Sequence, residues 1–328
     1  MESITKNRQP VAILRAMAAR AYGPDLVPAG DDWVSELEHG WFNVAYRMRL
    51  RDGRAVVLKI APPRTVEVMT YERGAMAIEL AALRLISERT RVPVPAVDFA
   101  DQSHEVCDAD YFCMPYIDAD NLGIVQGKLP AAILDRYHEA LGAANRELNS
   151  IRGPGFGPLA GPFEPSWRIA FLRIVEDVLR DGERLSVDVG WDYDVIREVI
   201  AAHADSLDEV TEPAYVEWDL GDGNVMIRDG MIVSILDHER AFYGDPLIEV
   251  GFAGTQLPAL GDPAAFMRGY GRAGLSDTER VRRRLYCLHL ALVMVIETVY
   301  RRHADPWEYD WARSQLADIM VLLRRQRG

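Results

Sequence analysis

The chain has 328 residues, long for one compact core and natural for two lobes. Apolar residues make up 49% and charged residues 27%, the make-up of a globular protein and not of a disordered one. Asp and Glu number 50 against 37 Lys and Arg, a net charge of −13 that argues against a bulk binder of nucleic acid. The start, Met1 to Pro10, is polar and carries no apolar signal core, so a cytoplasmic protein with no membrane contact is expected.

Residues 11–22 read as a short helix. Trp33 to Leu50 and Arg54 to Ile60 read as strands, with Asp52-Gly53 as a hairpin turn and Gly40 as a second tight turn. Residues 67–90 have helical periodicity, with Met76, Leu80, Leu83 and Ile86 on one face, and Val92-Pro-Val-Pro95 ends that helix. Val94–Phe99 and Tyr111–Tyr116 suggest two further strands. From Ile117 the character changes, and helices are predicted over 130–150, 166–184, 193–210, 262–272, 277–302 and 307–326. A β-hairpin interrupts them: Val225–Arg228 and Ile232–Leu236, joined by Asp229-Gly230. The most apolar run, Leu285 to Val299, contains His289 and Glu297 and is too short to span a bilayer. The basic runs Arg282-Arg283-Arg284 and Arg324-Arg325-Gln326-Arg327 fit solvated helix faces. Three cysteines, Cys107, Cys113 and Cys287, with no C-x-x-C pair, give neither a disulfide framework nor a zinc site.

Several motifs fail. There is no G-x-x-x-x-G-K-[ST], H-E-x-x-H or G-x-S-x-G. Gly155-x-Gly157-x-x-Ala160 follows a helix and contains Pro158, so it is no dinucleotide loop. The calcium-loop reading of Asp219 to Asn224 fails because its twelfth position is Gly230 where a bidentate Glu is needed.

What remains is an acidic constellation. Asp219 and Asn224 share one loop, and Asp237 ends the hairpin that begins beside Asn224, so folding the hairpin returns Asp237 toward that loop. Two unpaired carboxylates about 4 Å apart repel by roughly 4 kcal/mol at an effective dielectric near 20. A divalent cation removes that cost, and an all-oxygen set with one amide suits Mg²⁺ that keeps waters and phosphate oxygens. A plain turn followed by a helix cap accounts for the same residues. The balance is tipped by Lys59, placed mid-strand in Ala55-Val-Val-Leu-Lys-Ile60, with Glu79 twenty residues on. A Lys–Glu pair facing a nucleotide explains an ammonium in an apolar strand.

The ordered set Lys59, Glu79, Val92-Pro-Val-Pro95, Asp219-x-x-x-x-Asn224, Asp237-His-Glu239 and Gly244-Asp-Pro246 resembles the aminoglycoside phosphotransferase and choline-kinase-like family, relatives of the protein kinases. The resemblance covers residues from about 33 to 252. It implies an α+β, bilobal protein-kinase-like fold. Residues 1–116 would be a small, mostly antiparallel nucleotide-binding lobe with one helix. Residues 117–328 would be a large helical lobe with the catalytic loop, the hairpin and the acceptor site. It further implies a small-molecule kinase that uses ATP (or GTP) and Mg²⁺ to phosphorylate a hydroxyl of an aminoglycoside, amino sugar or amino alcohol. By the same resemblance, Gly40 and Asn43 cover the phosphates, Lys59 holds the α- and β-phosphates and Glu79 orients it. Met114 backs the adenine pocket, while the Pro115 carbonyl and the Ile117 N–H bond the purine edge. Asp219 accepts the acceptor's proton, Asn224 and Asp237 bind Mg²⁺, and Asp245 braces the catalytic loop through backbone N–H groups.

The chain departs from the family's pattern in four places. Glu217-Trp218 stand where His-Gly is usual, Gly221 where His is common, and His238 where Trp is common. Glu217 either turns away from the metal or engages a cation. These departures leave open a nucleotide-binding module without transferase activity. A protein kinase is opposed by the short segment between Asp237 and Pro246, which has no room for an activation loop. For the acceptor, Glu297, Asp305, Glu308 and Asp310, interleaved with Trp307, Tyr309 and Trp311, form one candidate surface. A solvated helix start with aromatics docked on the core is the equal alternative.

Overall fold

A computed structural model describes residues 3–38 and 40–325; Met1, Gln326 and Arg327, quoted above, lie outside the described residues. Helix α1 (Val11–Tyr22) leads into five antiparallel strands, β1 (Val34–Leu37), β2 (Val44–Arg49), β3 (Ala55–Ile60), β4 (Phe99–Asp101) and β5 (Tyr111–Pro115), in the spatial order β1-β2-β3-β5-β4. Alternation along β3 sorts its side chains to two covered faces. Val56, Leu58 and Ile60 pack with Leu14, Met17 and Ala18 of α1. The opposite face meets helix α2 (Ala75–Arg89), whose Met76 and Leu83 pack on Phe112. Lys59 lies opposite Phe112 in the ladder, so the period of two delivers its ammonium to the α2 face.

Helix α2 starts eight residues later than the periodicity predicts. Gly74, at φ 74°, lies in the left-handed region and breaks the helical path. Upstream, Glu72 is committed elsewhere, accepting the Met69 N–H at 2.9 Å and pairing with Arg301 at 2.7 Å. The predicted strand Val94–Phe99 pairs only from Phe99, because Pro93 and Pro95 bring no N–H to a ladder.

Beyond β5 the chain is mainly helical. Strand β6 (Asp120–Asn121) and helices α3 (Leu122–Val125) and α4 (Ala131–Leu148) come first, then β7 (Gly157–Pro158), α5 (Trp167–Arg184), α6 (Tyr193–His203) and β8 (Ala214–Val216). The hairpin β9 (Val225–Arg228) and β10 (Met231–Ile235) follows, then β11 (Phe242–Gly244), α7 (Ala264–Tyr270), α8 (Asp277–Tyr300) and α9 (Trp307–Arg325). The hairpin turn has φ 53° at Asp229 and 79° at Gly230, the signature of a tight primed turn. Two small sheets were not legible in the sequence: β10-β9-β6 and β7-β11-β8. Beyond the predicted hairpin, the strands that complete them, β6, β7, β8 and β11, are only two or three residues long, too short for a period to show. The helix predicted over 193–210 ends at His203 and continues as a 3₁₀ turn to Glu209.

Helix α8 is the axis of this larger body, with Leu285, Tyr286, Leu288, Leu292 and Ile296 buried. It corrects one sequence expectation. Arg282 and Arg283 are buried, not solvated. Arg282 pairs with Asp245 at 3.0 Å and Glu209 at 2.7 Å, and Arg283 donates to the carbonyls of Leu247 and Glu249. Both guanidiniums therefore fasten the segment after β11 to α8. Helix α2 joins the two bodies, since Ala82 and Ile86 pack into the large core while Met76 and Leu83 face the sheet. Among the described residues no helix is long and apolar enough to cross a membrane.

Candidate active site

The cleft between the sheet and the helical body gathers charged groups from three elements. Lys59 Nζ of β3 meets Glu79 of α2 at 2.8 and 2.7 Å, Asp237 Oδ1 at 2.5 Å and Glu239 Oε2 at 3.5 Å. One ammonium thus faces three carboxylates. Burial alone would lower the Lys59 pKa, but Asp237, Glu79 and Glu239 outweigh it and raise the pKa well above the ordinary lysine value. Burial pushes Glu79 up to about 7, opposed by Lys59 and helped by the charges of Asp237 and Glu239. Burial also works against ionised Asp237, yet Lys59 outweighs it and holds this carboxyl below the usual range.

The catalytic-loop candidate runs from Glu217 to Asn224, directly after β8. Its backbone is strained at one bulky residue: Trp218 has φ 69°. A left-handed non-glycine residue costs roughly 1–2 kcal/mol, so the surroundings must hold it. Glu249 does this, its carboxylate accepting the N–H of Trp218 at 3.0 Å and of Leu220 at 2.8 Å. The Trp218 indole packs on His289 and meets Tyr71 edge-on. The brace expected of Asp245 is therefore supplied by Glu249. Asp245 instead caps Leu247 N–H and binds Arg282 and Tyr286. Glu249 has the same signal that exposed Lys59, a lone charge between apolar neighbours, here Ile248 and Val250. Burial pushes its carboxyl up to about 8, against the backbone N–H groups that favour the ionised form.

Asp219 follows Trp218, and its side chain is 42% exposed to the cleft. Burial of its surroundings raises its pKa, with the Arg240 guanidinium, 3.6 Å away, pulling it down. Arg240 stacks between Tyr71 and Trp218 and reaches Glu297 at 3.6 Å. The other end of the loop is tied back, Asn224 Nδ2 donating to the Asp219 carbonyl at 2.9 Å. Leu236 N–H donates to the Asn224 carbonyl at 2.8 Å, which sets Asn224 beside the strand end that carries Asp237. Asp237 itself has φ 61°, a second left-handed residue. Glu217, the awkward substitution, is turned away from the cleft. It is buried, accepts the Tyr215 hydroxyl at 2.7 Å and pairs with His238 Nδ1 at 2.8 Å.

The donor set suits a hard divalent cation. The Asn224 carboxamide spends an N–H on Asp219, leaving its oxygen as an acceptor, and Asp237 gives one oxygen to Lys59 and keeps the other. Among the described residues no group of three His, Cys, Asp or Glu could hold a metal.

The remaining candidates lie around this centre. Gly40 is exposed at the tip between β1 and β2 with φ 92°, a conformation that favours glycine. Asn43 is buried and its amide donates to Glu239, so it joins the tip to the Asp237 strand end. The tip is held from both sides: Thr5 donates to the Trp41 carbonyl at 2.8 Å, Trp41 stacks on His303 and Arg301 lies over Phe42. Met114 packs against the α2 cluster, Pro115 ends β5 exposed, and Ile117 follows in the connector. Of the proposed acceptor surface, Glu297 reaches the cleft, through Arg240 and the Tyr71 hydroxyl at 3.2 Å. Trp307 and Trp311 stack on each other at the outer start of α9, with Trp307 63% exposed. Sequence reading missed Arg240, although it follows Asp237-His-Glu239 directly.

Solved structures share this architecture. An aminoglycoside phosphotransferase APH(4)-Ia variant in ternary complex with AMP-PNP and hygromycin B is 17% identical, with 94% of this chain and 97% of that chain covered and a TM-score of 0.67. A chain from Thermobifida fusca YX-ER1 with the provisional name fructosamine-3-kinase is 20% identical, covering 95% and 99% at 0.65. The streptomycin–ATP–APH(2″)-IIa ternary complex is 15% identical, covering 95% and 99% at 0.61. A search of curated protein sequences finds no match. Residues 33–286, which hold the lysine, the loop and both strand ends described above, match the phosphotransferase enzyme family, and the chain belongs to that family of protein-kinase-like small-molecule kinases.

Proposed function

We propose that this enzyme transfers the γ-phosphate of ATP to a hydroxyl of an amino-bearing small molecule, an aminoglycoside, amino sugar or amino alcohol, with Mg²⁺. The observation that carries the reading is the Lys59 ammonium bonded to both Glu79 and Asp237 in a cleft that Asp219 also faces. Residues to about 116 form the nucleotide-binding part, and 117–328 the acceptor part. Lys59, oriented by Glu79, holds the α- and β-phosphates under the Gly40–Asn43 tip, with Met114, Pro115 and Ile117 around the purine. Asn224 and Asp237 would hold Mg²⁺, which neutralises phosphate charge when bound.

The acceptor oxygen attacks the γ-phosphorus, a new O–P bond forms, and the bond to the β–γ bridging oxygen breaks with its electron pair leaving on ADP. The hydroxyl proton passes to Asp219. The raised pKa of that carboxyl brings it closer to the range a base needs. Arg240 fixes Asp219 from the side, and Glu297 behind it offers a carboxylate toward an acceptor amine. The departure at Glu217 does not count against transfer, because its charge is met by His238 rather than presented to the cleft. A cytoplasmic location is part of this reading.

ADP release from ATP and Mg²⁺, measured against a panel of hydroxylated amines and sugars, tests the reading. Release that rises with an acceptor supports it. Nucleotide binding with no acceptor-dependent release across the panel would leave a binding module instead. Replacing ATP with GTP separates the two nucleotides.

A further inference from the structure

Two of the four departures from the family pattern touch each other. Glu217 precedes the catalytic loop and His238 follows Asp237, and their side chains meet at 2.8 Å. Glu217 is 1% exposed and His238 is not exposed at all. His238 Nε2 meets the Ile235 carbonyl at 3.0 Å, and its Nδ1 lies within ion-pairing distance of Glu217. A carboxylate buried this deeply is tolerated only with a cationic or donor partner, and Glu217 has two, the Tyr215 hydroxyl at 2.7 Å and the His238 ring.

The pair also sits between the two strained residues of the site. Trp218 follows Glu217 and Asp237 precedes His238, and both are non-glycine residues at φ 69° and 61°. Such conformations persist where the surroundings over-determine them. Glu249 holds the loop from one side through the Trp218 and Leu220 N–H groups. The opposite strand end has no equivalent carboxylate on its backbone among the hydrogen bonds described; Leu236 N–H ties it to the Asn224 carbonyl, and His238 adds a side-chain contact to Glu217.

We propose that Glu217 and His238 are a linked pair of positioning residues that clamps the loop bearing Asp219 to the strand end bearing Asp237. The clamp rests on the phosphotransfer reading given above. It acts through Asp237, whose carboxylate must face both Lys59 and the cation, and it replaces the usual residues at both positions as one exchange. Neither side chain touches substrate.

The test is calorimetric binding of ATP with and without Mg²⁺, alongside the thermal midpoint of the unliganded protein. For the chain as it stands, Mg²⁺ tightens ATP binding. Glu217→Gln keeps the shape and removes the charge, and His238→Ala removes the contact. Each is expected to cut the Mg²⁺-dependent gain by about 10- to 100-fold, the range for partners behind a metal ligand, while binding of metal-free ATP changes little. Glu217→His combined with His238→Trp, the residues usual in the family, is expected to restore the gain. A lowered midpoint with the Mg²⁺-dependent gain intact in both single variants overturns the clamp and leaves a core-filling pair. Should His238→Ala fail to fold, the isosteric Glu217→Gln decides alone. If ATP binding by the unaltered chain ignores Mg²⁺, the phosphotransfer reading itself fails, a result distinct from failure of the clamp.

Discussion

The two ends of the cleft are built differently. At the proposed phosphate end, Lys59, Glu79 and Asp237 meet at 2.5 to 2.8 Å, and both partners of the Lys59–Glu79 pair are buried. At the proposed acceptor end, Arg240 stands 3.6 Å from Asp219 and from Glu297, and Asp219 is partly open to solvent. A triphosphate is the same in every reaction of this kind, and tight, desolvated ion pairs suit a fixed partner. An acceptor varies, and looser pairs leave room for its hydroxyl and amine to enter between the charges. Fixed chemistry is thus held by short contacts, and selective chemistry by separable ones.

The strongest way to break this contrast is at the base. Asp219→Ala is expected to lower turnover by about 10²–10⁴-fold with little change in the KM for ATP. Steady-state ADP release checks this, and unchanged turnover would remove Asp219 from the role. Next comes the phosphate end. Lys59→Ala leaves Glu79 buried and unpaired, a loss expected to cost about 3–5 kcal/mol of stability. It should also weaken nucleotide use, which denaturant unfolding and ATP titration measure separately. A more modest effect is expected from Arg240→Ala. Losing this 3.6 Å ion pair, worth about 0.2–1 kcal/mol, should raise the acceptor KM or lower kcat by roughly 2- to 5-fold while ATP binding holds. An equal loss of ATP affinity would erase the distinction between the two ends.

The smallest effect concerns pH. Glu249 has its folded pKa raised to about 8 from an ordinary value of 4.5. The folded state therefore holds this proton more tightly than the unfolded chain does. Its contribution to stability is complete below pH 4.5 and is lost as pH rises through about 8. Glu79, at about 7, acts with the same sign. Glu249→Gln should flatten the fall in thermal midpoint between pH 5 and 8, as scanning calorimetry would read it. A slope identical to the parent's would remove Glu249 as its source.

Much of this was legible before any coordinates. The period of two along β3 placed Lys59 on the face of α2, and the Asp229-Gly230 turn folded Asp237 back toward Asn224, because strand alternation and primed turns are local rules. The helix boundary at Ala75 was not legible, since it depends on Glu72 reaching Arg301 across 229 positions. Nor were the loop brace or the buried arginines. Asp245 and Glu249 lie on one short segment, and which of them turns toward Trp218 is fixed by Arg282, Arg283 and Tyr286 of α8.

Sequence by itself determined the chemistry on offer: one ammonium in an apolar strand, carboxylates at the ends of a loop and a hairpin, and their order along the chain. Only the tertiary structure decided which charges neutralise each other, and so turned Glu217 from an intruding anion into the partner of His238. The reason is range. Alternation and turn geometry act over a few residues, whereas the cost of a buried charge is settled by whichever group the fold brings within about 4 Å, however distant in sequence.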